Sequence, residues 1–88
     1  MARVIVTLKI MPQSPEVNLD LIKEQAVEKI TKYGGEVGKT EIQPIAFGLN
    51  ALIINVVMDE NRDSEDFEKF IKEIPGVSQV DVAGMTRL

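Results

Sequence analysis

Apolar and polar residues alternate through residues 3–11, with Val4, Val6, Leu8 and Ile10 on one side and Arg3, Ile5, Thr7 and Lys9 on the other, which is the period of a strand. Pro12 and Pro15 close this stretch. The period then changes. Leu19, Ile22, Ala26, Ile30 and Tyr33 recur at spacings of three and four, the single apolar stripe of a helix, opposite Lys23, Glu24, Glu28, Lys29 and Lys32. Ser14 and Asn18 can each cap this helix; Asn18 is preferred, with the Ser-Pro turn leading in, and Gly34 and Gly35 stop it. Residues 36–46 form a weakly patterned second strand, with Val37, Ile42 and Ile45 among polar neighbours and Pro44 marking a sheet edge. Residues 50–58 form the most apolar strand: Leu52, Ile54, Val56 and Met58 alternate, and Ile53 and Val57 make the reverse side apolar as well, so both faces are partly shielded. A second helix, capped by Asp63 or Ser64, carries Phe67, Phe70, Ile71 and Ile74 on one face and ends at Pro75-Gly76. Residues 77–85 complete the pattern as a fourth strand with Val80 and Val82 pointing inward, leaving Thr86, Arg87 and Leu88 as a short end.

Strand, helix, strand, strand, helix, strand is the order of a ferredoxin-like α+β sandwich. Two right-handed β-α-β crossovers interlock when the first and third strands take the centre, giving a four-stranded antiparallel sheet in the order 4-1-3-2 with both helices on one face. The two most apolar strands are the expected central pair, and the strand bearing Pro44 is an expected edge. The other sheet face, with Ile5, Thr7, Lys9, Ile53, Asn55 and Val57, is left open or covered by a partner. Residues 1–88 are expected to be one domain, burying about 60 to 65% of the surface its unfolded chain exposes.

Composition narrows the chemistry. The chain has neither Cys nor His, which removes thiolate metal sites, disulfides and the commonest general base. No metal or other cofactor is expected. No apolar run reaches the roughly 20 residues of a membrane span, and the strand pattern starts directly after Met-Ala, so a cytoplasmic protein without membrane contact is expected. The net charge is −4, with Asp59, Glu60, Asp63, Glu65, Asp66 and Glu68 crowded together around Arg62. Such a balance disfavours phosphate-backbone binding. The open face also lacks the strand aromatics on which RNA-binding domains of this fold stack bases, so no direct nucleic-acid partner is expected.

Three features remain. Asn55 would suit an acyl-phosphate hydrolase only if an Arg-bearing phosphate loop followed the first strand, and none does; it reads as a polar residue near one strand end. The acidic run 59–68 would suit a divalent cation, but it reads better as the start of a helix, where carboxylates complement the macrodipole. Phe47, in the turn before the third strand, either closes the end of the core or stands out as a contact, and Arg87 is either a frayed end or a contact. Strand directions put that turn and the end of the chain at opposite ends of the sheet. Two separated points suit an extended protein interface better than a catalytic pocket, and no enzymatic activity is expected.

The opening MARVIVTLKIMPQSP, the central PIAFGLNALIINVVM and the closing VDVAGMTRL together resemble the archaeal-type translation elongation factor 1-beta family and the exchange domain of its eukaryotic relatives. The likeness covers the full chain. It implies guanine-nucleotide exchange on elongation factor 1-alpha by a minimal exchange domain, and the chain is expected to be a monomer when free. From the family's aromatic turn and basic tail it implies that Phe47, Gly48, Met85, Arg87 and Leu88 meet the partner. Arg87 would disturb the partner's Mg²⁺ and phosphate region, releasing nucleotide. Eukaryotic relatives carry Lys where this chain has Arg87, a larger, planar cation. Two other classes fit the residues: a small-molecule-sensing regulatory domain, which would use the apolar open face, and a small enzyme, disfavoured by the missing His and Cys.

Overall fold

A computed structural model describes residues 2–61 and 64–88. The strands and α-helices of the described residues follow in chain order: strand β1 (Arg3–Pro12), helix α1 (Leu19–Lys32), strands β2 (Glu36–Pro44) and β3 (Asn50–Asp59), helix α2 (Ser64–Lys72) and strand β4 (Val77–Arg87), with a single 3-10 turn (Ala46–Gly48) between β2 and β3. The sheet runs β2-β3-β1-β4 with every neighbouring pair antiparallel, the expected ferredoxin-like order.

Alternation decides which residues meet. Val4, Val6, Leu8 and Ile10 from β1 and Leu52, Ile54, Val56 and Met58 from β3 face the helices, where Ile22, Ala26, Ile30, Phe67, Ile71 and Ile74 close over them. Burying each of these side chains other than Ala26 contributes about 1.5–3 kcal/mol, which makes this two-layer core the main stabilising element. Asn18 caps α1 as expected, its side-chain oxygen accepting from the Asp20 N–H at 2.9 Å. Leu19 and Tyr33 lie at the margin of the core. Gly35 lets β2 enter close to it, since a Cβ there would stand 2.9 Å from Ile30 Cγ2. Tyr33 ties the two helices together: its ring meets Phe67 and Phe70 edge-on at centroid distances of 5.4 and 4.5 Å, and its hydroxyl donates to Asp66 Oδ2 at 2.9 Å. Phe70 therefore packs at the rim beside Tyr33, outside the buried core. The expected cap at Asp63 lies outside the described residues, as does the Ser64 side chain.

Three expectations need correction. Thr86 and Arg87 are not a loose end: they pair with Ile5 and Val4, and the Leu88 N–H donates to the Arg3 carbonyl at 2.9 Å, because β1 begins early enough to offer those ladder positions. Val82 pairs with Leu8 and so shares the helix-bearing side, yet it is 38% exposed and not packed into the core, since β4 is an edge strand; only Val77 of β4 is fully buried. Asn55 lies in the middle of β3, opposite Thr7, whose hydroxyl donates to its Oδ1 at 2.8 Å. On the sheet face away from the helices, Ile5, Thr7, Lys9, Ile53, Asn55 and Val57 are half-buried.

Candidate functional site

Two surface features stand at opposite ends of a molecule measuring 41 × 21 × 18 Å. The first is the connection between β2 and β3. Ile45 N–H donates to the Leu49 carbonyl at 2.8 Å, and Leu49 N–H donates to the Ala46 carbonyl at 3.3 Å. Between them Phe47 adopts φ 62°, ψ 30° and Gly48 adopts φ 74°. Positive φ at both central residues is the mark of a type I′ hairpin turn, whose twist suits antiparallel strands. Gly48 is there for its backbone, because an added Cβ would meet nothing within 4 Å. Phe47 breaks the usual chemistry. Asn, Asp or Gly normally fills its position, and a side chain with a Cβ loses about 1 kcal/mol or more in this left-handed conformation.

That strain is not offset by burial. Phe47 is 94% exposed, so it does not close the core. A bulky apolar ring held in water on a strained turn does nothing for the isolated fold, and strain of this kind collects where a side chain must be presented. Ile42, on the adjoining edge strand, adds further apolar surface at 55% exposure.

The second feature is the end of β4. Met85 pairs with Val6 and Arg87 with Val4, so both project on the helix-bearing side of the sheet, while Thr86 points the other way. Met85 is 58% exposed and Leu88 67%. The Arg87 guanidinium donates through Nη2 to Glu60 Oε2 in the loop that leaves β3. Glu60 thus joins Arg87 at this end, where sequence patterning placed it only within an acidic run. The signal that could have found it is topological: the exit of β3 and the end of β4 fall at the same end of the sheet. Arg3, at this end too, pairs with Glu36 at 3.2 Å, an exposed contact of small energetic weight.

From Val4, opposite Arg87, to Ile10, opposite Leu52, β1 rises roughly 20 Å. Phe47 and Arg87 cannot share a pocket. The acidic residues disperse as well: Glu60 accepts from Arg87, Asp66 from Tyr33, and Asp59 Oδ1 from the Asn61 N–H at 2.9 Å. Among the described residues no three acids gather in a way that could hold a metal ion, and no helix is long and apolar enough to cross a membrane.

Comparison with known proteins identifies the family. The profile of the EF-1 guanine nucleotide exchange domain matches residues 5–88. The chain is 43% identical over 90 residues to Elongation factor 1-beta of Saccharolobus islandicus, covering 100% of this chain and 98% of that protein. Identity is likewise 43% to the protein of that name from Saccharolobus solfataricus and 42% to that from Sulfurisphaera tokodaii, with the same coverage in each case. These relatives support a role in nucleotide exchange during translation elongation. The chain belongs to the EF-1 guanine nucleotide exchange domain family.

Proposed function

We propose that this protein promotes exchange of GDP for GTP on elongation factor 1-alpha, as a monomeric, single-domain factor of the cytoplasm. The observation that carries this reading is the pair of exposed groups at opposite ends of one sheet, an aromatic ring on a strained turn and a cation on a tail that stays in the ladder through Arg87. A small globular partner site would not need both. A multidomain GTPase, bridged by the length of the sheet, would.

In this reading Phe47 docks in an apolar site on one part of the partner, with Gly48 setting the turn that presents it. Arg87, flanked by Met85 and Leu88, approaches the partner's Mg²⁺ and phosphate region. A guanidinium brought there repels the metal ion and competes for its anionic ligands, weakening the electrostatic hold on GDP. No bond is made or broken in the factor. An acceleration of about a thousandfold corresponds to about 4 kcal/mol off the release barrier. Linkage then requires the factor to bind nucleotide-free partner more tightly than the GDP form.

The test is release of a fluorescent GDP analogue from cognate elongation factor 1-alpha in excess unlabelled GDP as the protein is titrated in. A saturating acceleration is expected. A flat response from folded protein and active GTPase would reject the proposal and turn attention to ligand binding on the half-buried sheet face.

A further inference from the structure

Arg87 is the more exposed member of its ion pair, its side chain 73% accessible, whereas the Glu60 side chain is only 30% accessible. The acid is also the better anchored. Its N–H donates to the Ala2 carbonyl at 3.1 Å, and the next turn of chain is fixed by the Asn61 N–H donating to Asp59 Oδ1 at 2.9 Å. Asp59 is thus already engaged. Arg3 sits on the sheet side opposite to Val4 and Arg87, and is paired with Glu36 there. Arg3 and Arg87 are therefore sorted to opposite faces, each with its own carboxylate. Behind Arg87, ladder pairing with Val4 and the Leu88 N–H bond to the Arg3 carbonyl hold the backbone. What the ladder cannot fix is the long arginine side chain, and Glu60 supplies that.

We propose that Glu60 is a positioning residue for nucleotide exchange: it holds the Arg87 guanidinium extended from the helix-bearing side of the tail, so that a partner meets one orientation of the cation. The inference rests on the reading of Arg87 as the group that releases nucleotide. A guanidinium has five N–H donors in a planar fork, so one oxygen of Glu60 can hold it while others stay available to a partner's anions. As an exposed ion pair the contact adds little to stability. Its value lies in preorganisation, since ordering a long side chain only on docking costs about 0.5–1.5 kcal/mol. Lost preorganisation of that size slows release about two- to tenfold.

The experiment measures GDP release from cognate elongation factor 1-alpha over a titration of native protein, Glu60→Ala, Glu60→Gln, Arg87→Ala and the Glu60→Ala/Arg87→Ala double variant, with thermal unfolding of each. Glu60→Ala is expected to lower the maximal rate about two- to tenfold while leaving the half-saturating concentration and the unfolding midpoint in place. Glu60→Gln, which keeps the shape and an acceptor oxygen, should fall between. In the Arg87→Ala background, Glu60→Ala should change nothing further. By NMR, the Arg87 Nε–H should lose order in Glu60→Ala. A native or faster rate for Glu60→Ala beside a slow Arg87→Ala would overturn the positioning role while leaving the tail reading intact, and so would an equal loss in both backgrounds or an unchanged Arg87 order. A native rate for Arg87→Ala would overturn both.

Discussion

The two ends of the sheet expose their functional candidates by opposite means. At the β2–β3 end, Phe47 is pushed into solvent by backbone conformation: a left-handed turn turns the ring away from the core and leaves it 94% exposed. At the other end, Arg87 is presented by regular structure, since β4 keeps its ladder with β1 through Arg87 and a carboxylate holds the guanidinium. The turn stores strain, whereas the tail stores almost none. An apolar knob must be forced out, because water disfavours it, while a cation needs only to be ordered. The two ends should therefore respond differently when altered.

The largest effect is expected at the tail. Under the proposed mechanism Arg87→Ala removes the charge directed at the partner's metal and phosphates and should lower the maximal GDP-release rate about 100-fold, the scale for deleting one preorganised electrostatic contact, with an unchanged unfolding midpoint. Phe47→Ala should act on binding: truncating an exposed aromatic anchor costs about 2 kcal/mol, which raises the half-saturating concentration about 30-fold in the same titration. Phe47→Asn sharpens the contrast. It should lose partner affinity like Phe47→Ala yet stabilise the free protein by about 1 kcal/mol in urea unfolding, because Asn tolerates the left-handed turn. Gly48→Ala should do the reverse, destabilising by about 1 kcal/mol through its φ of 74° alone, as no neighbour obstructs the new methyl. A stabilised Gly48→Ala, or a destabilised Phe47→Asn, would break the account of the turn.

The fold was largely legible from period and punctuation. The alternation of Val4 to Ile10 and of Leu52 to Met58, the stripe Ile22, Ala26 and Ile30, and Pro44 at an edge together dictate the strand order that the structure has. The opposite placement of Phe47 and Arg87 also followed, from strand direction alone. What a pattern cannot reveal is the sign of one φ, so Phe47 could have folded back onto the core. The sequence Ala83-Gly84-Met85-Thr86-Arg87 has too little alternation to announce a strand, and its pairing depends on how early β1 begins. Val82 misled for a related reason: an apolar residue on an edge strand need not lie under a helix. Glu60 was hidden among acids that look interchangeable in one dimension and have separate partners in three.

The central claim is a division of labour between the two ends, and GDP-release titrations of Phe47→Ala and Arg87→Ala, run side by side against cognate elongation factor 1-alpha, test it most directly. The account predicts that Phe47→Ala moves the midpoint and reaches the native plateau, whereas Arg87→Ala keeps the midpoint and lowers the plateau. Variants that shift the same parameter together, or an Arg87→Ala plateau equal to that of the native protein, would contradict it.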